Sequence, residues 1–248
     1  RLASKADEPL ALMDAAAGTG ASTFALADAV TAAGAKATIL ATDISEGMLA
    51  VLKDNNTKTP SSVEIGTAVM SLDTLAEQPD NSLDGLLCVF GIMFVGEDQA
   101  AKATAAGVAV IITWERIQTN AIMAAAAVDQ GLIKPEAEKN FLRNIMQFGD
   151  RPFATDFLVG GGFGQEGKGF SFVDVTDEGN KDHFIAVRDI LPMSQTNPAI
   201  AGAVAPGKYD MEKLEKFLSK FSKPMGEDGE SYVPVHGTAL LIEATKST

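Results

Sequence analysis

The segment Asp14-Ala-Ala-Ala-Gly-Thr-Gly20 follows an apolar run and opens onto an alanine-rich stretch. Glycines at such a strand-to-helix turn let the backbone approach a ligand beside the N–H groups of the helix N-terminus, so the segment reads as a cofactor loop. Twenty-three residues beyond Gly20, Asp43 closes the next apolar run. A carboxylate at the end of a second strand accepts hydrogen bonds from both hydroxyls of a ribose, which points to an adenosine-containing ligand. The competing readings are a cap on its own turn for Asp14 and a solvated strand end for Asp43. Loop and acid together, at this spacing, favour the ligand.

The same features mark dinucleotide folds, so an NAD-dependent oxidoreductase is the rival enzyme class. In G-x-G-x-x-G the third glycine lets the helix pack on the strand, and here Gly18-Thr-Gly-Ala-Ser-Thr23 ends in threonine. Asp14, ahead of the loop, would also repel a pyrophosphate. Other chemistry is sparse. The two histidines, His183 and His236, are the candidate general bases, and the lone Cys88 lies in an apolar run where a free cysteine behaves as a small hydrophobe. No His/Cys cluster at metal-ligand spacing is present, so no metal is expected.

The elements that position these residues alternate in type. Strands are expected at Leu10–Ala16, Lys36–Thr42, Val63–Met70, Leu83–Phe90 and Gly107–Trp114, with helices at Ser22–Ala33 and from the cap Ser45, where Met48, Val51 and Leu52 share a face. Further on, Ala121–Phe148 reads as helical, Gly160–Gly169 as a surface loop, and Phe170–Val175 as a sixth strand. Helices at Lys181–Leu191 and Met211–Phe221 precede a last strand, Tyr232–Ala244, placed beside the sixth. Only a two-turn helix fits between Glu97-Asp98 and Gly107. The pattern predicts an α/β fold: a doubly wound, mostly parallel seven-stranded sheet of Rossmann-like type with late helical lid insertions. We expect residues 1–248 to form a single domain, 10–118 its cofactor-binding half and 119–248 its acceptor side.

Composition bounds the partners. A hydrophobic share of 46% and a charged share of 21% suit a soluble globular chain, and the formal charge of −13 repels phosphate backbones and anionic lipid headgroups. Nucleic acid and membrane are therefore not expected partners, whereas a small-molecule acceptor is. The expected location is cytoplasmic.

Leu12-Met-Asp-Ala-Ala-Ala-Gly-Thr-Gly20, Ala41-Thr-Asp-Ile-Ser-Glu-Gly-Met48 and Pro79-Asp-Asn-Ser-Leu-Asp84 resemble the successive motifs of class I S-adenosylmethionine (SAM) dependent methyltransferases, over residues 10–118. Asp43-Ile-Ser-Glu-Gly-Met-Leu49 and Val233-Pro-Val-His-Gly-Thr-Ala-Leu-Leu241 resemble the ubiquinone and menaquinone biosynthesis branch, including fungal small-molecule O- and thiol-methyltransferases of secondary metabolism. The resemblance implies that Gly18 and Gly20 border the methionine part of SAM and that Asp14 orients the loop. It implies that Asp43 holds the ribose hydroxyls, Met48 lies on the adenine face, and the turn at Met70, Ser71 and Leu72 presents a backbone N–H to the adenine edge. Ala16 and Ile44 count among the cofactor-binding residues, and Phe90 ends the fourth strand against the methyl donor. Phe94 and Trp114, with Met93, would line the acceptor pocket, and His183 would be its base, His236 being structural. The adenine turn departs from the family, which often carries an acid there; here Asp73 is displaced from it.

The function implied is methyl transfer from SAM, yielding S-adenosylhomocysteine, to a hydroxyl or thiol of a small, largely apolar molecule. A SAM-binding regulatory or partner subunit without turnover is the alternative. Calorimetry separates the cofactor classes: S-adenosylhomocysteine should bind and NAD should give no heat, and the reverse result overturns the reading.

Overall fold

Two apolar strands with a glycine turn and a helix between them build the first part of the fold. β1 (Leu10–Ala15), α1 (Ala21–Ala32), β2 (Ala37–Asp43), α2 (Glu46–Asn55) and β3 (Val63–Val69) follow in order in the computed structural model. β4 (Leu83–Val89), a 3-10 turn at Ile92–Phe94, β5 (Ala106–Ile117), α3 (Gln118–Asp129), α4 (Pro135–Met146) and α5 (Arg151–Gly160) come next. The chain ends with β6 (Phe170–Val175), β7 (His183–Ala186), α6 (Val187–Thr196), α7 (Met211–Leu218), β8 (Lys223–Pro224), β9 (Ser231–Val235) and β10 (Gly237–Thr245). The structure describes residues 8–56, 62–72, 82–94, 106–160, 163–164, 167, 169–175, 183–196, 203–225, 230–235 and 237–245. The short crossover expected after Glu97-Asp98 lies outside them, as does part of the glycine loop after Gly160.

By contacts the chain divides into two units, the first comprising Arg1–Thr113, Asp150–Asp174 and Leu240–Thr248, the second Trp114–Gly149 and Val175–Ala239. A seven-stranded sheet runs in the order β3-β2-β1-β4-β5-β10-β6, with β1–β2, β2–β3, β1–β4 and β4–β5 all parallel. The expected doubly wound, mostly parallel sheet is thus found, with the last strand beside the sixth. Its order reverses between β1 and β4, the switch point at whose carboxyl side ligands bind in such sheets.

In the first unit, Leu10, Leu12, Ala37, Ile39 and Val63 alternate along their strands, so they share one face, where Ala27 and Val30 of α1 cover them. Ala41 on the same face meets Leu49 and Leu52 of α2. That pair, three residues apart, is the buried stripe of α2; Met48 and Val51 are exposed, in contrast to the face expected from sequence. Ser45 caps α2, its hydroxyl accepting from the Met48 N–H at 3.3 Å. On the outermost strand β6, Val173 and Val175 are exposed, and Asp174 between them pairs with Arg151 of α5 at 2.6 Å. Arg151 also stands over the Phe172 ring, 5.4 Å from its centroid.

The second unit has its own core, in which Met123, Leu214, Leu218 and Val233 are fully buried. Tyr209 donates its hydroxyl to the Met123 carbonyl at 2.8 Å, which satisfies a polar group inside that core. Three sequence expectations are corrected here. Ala121–Phe148 is two helices, because Gly131 in the left-handed region (φ 69°) ends one and Pro135 starts the next. Lys181–Leu191 is not one helix: His183–Ala186 pairs antiparallel with Ser231–Val235, and the helix starts at Val187. Pairing with a distant segment overrides the local helical composition. Tyr232–Ala244 is likewise two strands, β9 in a three-stranded sheet of order β7-β9-β8 and β10 in the large sheet. β8 reaches only Tyr232 and Ser231, so at Pro234 strand β9 has a neighbour on one side, where a missing N–H is tolerated. The strand ends otherwise differ from expectation by a residue or so, β5 extending further, to Ile117.

No helix among the described residues is long and apolar enough to cross a membrane. Asp84, in the third sequence motif, supports the sheet, since its Oδ2 accepts the Ala11 N–H at 2.9 Å where β1 and β4 begin to pair. Asp84→Ala should therefore destabilise the fold by about 1–3 kcal/mol, while Asp84→Asn, which keeps an acceptor oxygen, should lose less. Urea unfolding of both variants measures the difference, and equal losses would remove this bond from the fold's supports.

Candidate active site

Past β1 the backbone turns sharply. Ala16 has φ 60°, Gly18 φ 56° and Gly20 φ 96°, all in the left-handed region. At Gly20, the N-cap of α1, an added Cβ would lie 2.8 Å from both Phe24 and Leu52, so the site also lacks room for a side chain. The Ala17 N–H donates to the Thr42 carbonyl at 2.9 Å, holding the loop on β2. At Gly18 the nearest group to an added Cβ would be the Met48 sulfur, 4.0 Å away. Loop and Met48 therefore stand together, while Ile44 is 73% exposed beside them in sequence.

Asp43 is the junction. Its Oδ2 accepts the Gly18 N–H and its Oδ1 the Ser45 N–H, both at 2.9 Å. Charge-assisted bonds of this kind are stronger than neutral ones and fix where the carboxylate points. The Asp43 carbonyl in turn accepts the Met70 N–H at 3.0 Å, which places the half-buried Ser71 and Leu72 at the end of β3.

Asp14, fully buried on β1, accepts at its Oδ2 from the Ser22 hydroxyl at 2.8 Å and the Thr23 hydroxyl at 2.6 Å. Its Oδ1 is buried with no hydrogen-bond partner. Burial raises the Asp14 carboxyl above the usual range against the pull of the two hydroxyls, and the Asp43 charge adds a smaller upward push. Sequence reasoning gave Asp14 its place at the loop and missed Ser22 and Thr23. Hydroxyls in the first turn of the following helix were the available signal.

Across the switch point, Phe90 follows β4 with φ 54°, its N–H bonded to the Ile112 carbonyl at 2.8 Å. Gly91, also missed from sequence, is buried against Ala16, Cys88 and Leu72. Burial pushes the Cys88 thiol up to about 12, against the pull of the Gly91 and Ile92 N–H groups, so it is no nucleophile. Of the expected acceptor residues, Phe94 is 62% exposed and Met93 is buried. Trp114 is half-buried and lies within β5, and the His183 backbone is in β7; both belong to the second unit. The His183 side chain, His236 and Asp73 lie outside the described residues.

Because Asp14 binds a proton more tightly when folded than when unfolded, its stabilising contribution is present below the ordinary carboxylate range and is lost as pH rises through its elevated value. Asp14→Asn does not titrate. The stability of wild type minus that of Asp14→Asn should fall as pH rises from about 4 to 8. Urea unfolding across that range checks it, and a flat difference would overturn the assignment.

Residues 12–111 match the family model described as a methyltransferase domain. No curated protein sequence matches the chain. Among solved structures, a cyclopropane-fatty-acyl-phospholipid synthase-like protein from Lactobacillus casei ATCC 334 is 13% identical, with 96% of this chain and 85% of that one covered and a TM-score of 0.51. The CurJ carbon methyltransferase is 10% identical, with 98% and 50% covered and a TM-score of 0.50. At such identities the structures show a shared fold, and the family match bears on the chemistry. The site agrees with a SAM donor on its own terms: two carboxylates, one with an unpartnered buried oxygen, beside a loop whose glycines leave the backbone open, suit a cationic nucleoside. The match over 12–111 gives the chain a methyltransferase domain, and this site suits SAM as its donor, with S-adenosylhomocysteine as the product.

Proposed function

We propose that the methyl acceptor is a small, largely apolar molecule bearing a hydroxyl or thiol, as in the ubiquinone and menaquinone branch and fungal small-molecule methyltransferases of secondary metabolism, and that the enzyme works in the cytoplasm. The observation that carries this reading is Phe94, a large apolar side chain left 62% exposed one short turn beyond the switch point. Its N–H bonds back to the Gly91 carbonyl at 3.0 Å, so the residue's backbone is held close to the end of β4. Apolar surface at that place favours an apolar acceptor, and the charge of −13 disfavours a polyanion. For Trp114 and His183 the reading rests on the sequence resemblance alone.

SAM supplies an electrophilic methyl on a sulfonium that leaves as a neutral thioether. In this reading Gly18 and Gly20 flank its methionine part, Asp43 takes the ribose hydroxyls with the lone pairs left over from Gly18 and Ser45, and Met48, Ser71 and Leu72 meet the adenine. Asp14 and Asp43 set a negative potential that favours the cation. What remains for the chain is alignment and exclusion of water, and a phenol or thiol that ionises near neutrality needs no strong base.

The test is release of S-adenosylhomocysteine with a panel of apolar phenols, thiols and enolisable carbon acids, with the methylated products identified by mass spectrometry. Products on oxygen or sulfur are expected. Methylation of carbon acids alone would overturn the acceptor assignment, and donor binding with no turnover on any acceptor would favour a regulatory subunit.

A further inference from the structure

Two residues other than glycine have positive φ among the described residues, Ala16 at 60° and Phe90 at 54°. They stand at the ends of β1 and β4, which are neighbours in the sheet and flank its switch point. Left-handed backbone is unfavourable for a residue with a side chain, so each must be held by what packs against it.

The holding contact is at Gly91. A Cβ built there would lie 2.5 Å from the Ala16 Cβ, 3.1 Å from the Cys88 sulfur and 3.3 Å from a Leu72 methyl. The first distance is too short for any pair of carbons, and Ala16 has no rotamer by which to retreat. Gly91 itself has no positive φ, so the space explains the glycine and backbone freedom does not. Ala16 and position 91 thus share room for one methyl group. Leu72, of the turn expected at the adenine, closes the same space.

We propose that Gly91 is a positioning residue for the donor site: by lacking a side chain it lets the turn after β4 close on Ala16, which fixes the path of the loop from Ala16 to Gly20 and the seat of Leu72. The inference rests on the donor reading above. A methyl added at 91 pushes directly on Ala16, the first residue of the loop, and through it on the Gly18 N–H that Asp43 holds. Removing the Ala16 methyl restores the room.

Four proteins test this: wild type, Gly91→Ala, Ala16→Gly, and Gly91→Ala with Ala16→Gly. S-adenosylhomocysteine binding is measured by calorimetry at a temperature where circular dichroism shows the protein folded, and thermal unfolding is recorded alongside. Gly91→Ala should raise Kd by about tenfold, the scale of an overpacked contact passed to the binding loop, and the double variant should return to within about threefold of Ala16→Gly alone. A loss of stability alone would leave Kd of the folded protein where it was, and that result overturns the proposal. Should Gly91→Ala not fold, a double variant that folds and binds like Ala16→Gly still supports the shared space, and one that fails in either respect overturns it. A wild type that binds no S-adenosylhomocysteine would overturn the donor reading itself, whereas tight and equal binding by wild type and Gly91→Ala would overturn this inference alone.

Discussion

The site depends on one carboxylate in two backbone hydrogen bonds. Asp43 takes the Gly18 N–H with one oxygen and the Ser45 N–H with the other, so the loop after β1 and the start of α2 are both hung from the end of β2. The Ala17 N–H on the Thr42 carbonyl is a further tie of the loop to β2. Together they fix the glycine loop against the helix that carries Met48, and the Asp43 carbonyl extends the arrangement to Met70 at the end of β3. Three successive strand ends thereby become one surface. The sheet positions these ends, and the carboxylate sets their spacing.

Asp14 does the opposite kind of work. Sealed within the fold, it stands where a charge is costly, and its two hydroxyl partners offset only part of that cost. Such an arrangement lowers stability at neutral pH and is expected where a site must meet a cation. Ordinary apolar layers compensate for it: Leu12 and Ile39 beneath α1, Ala41 beneath α2. In the second unit the cluster around Met123, Leu214 and Val233 is apolar, and the Tyr209 hydroxyl within it is satisfied by a carbonyl.

The first hundred residues were the legible part. Their strands are short, apolar and separated by glycine or capped helices, so period and punctuation agree, and Asp14, Gly18, Gly20 and Asp43 fall together as spacing implied. What sequence did not show has physical causes. The stripe on α2 was misread because Met48, Val51 and Leu52 fit a helical period as well as Leu49 and Leu52 do, and only the position of Ala41 chooses between them. His183–Ala186 is a strand because of Ser231–Val235, some fifty residues away, which no local pattern reveals. Gly91 was passed over because a glycine needed for space, with ordinary backbone angles, carries no signature beyond its identity.

Strand β6 ends the large sheet, and its outer row of peptide groups is the kind of surface on which a second chain adds a strand. With Val173 and Val175 exposed along it, the adhesive part is present. Asp174 stands between them, held by Arg151 in an ion pair exposed enough to contribute little to folding free energy. Its value is of another kind. A charged residue on an edge strand disfavours pairing with a like edge, a role whose loss an unfolding curve would barely register.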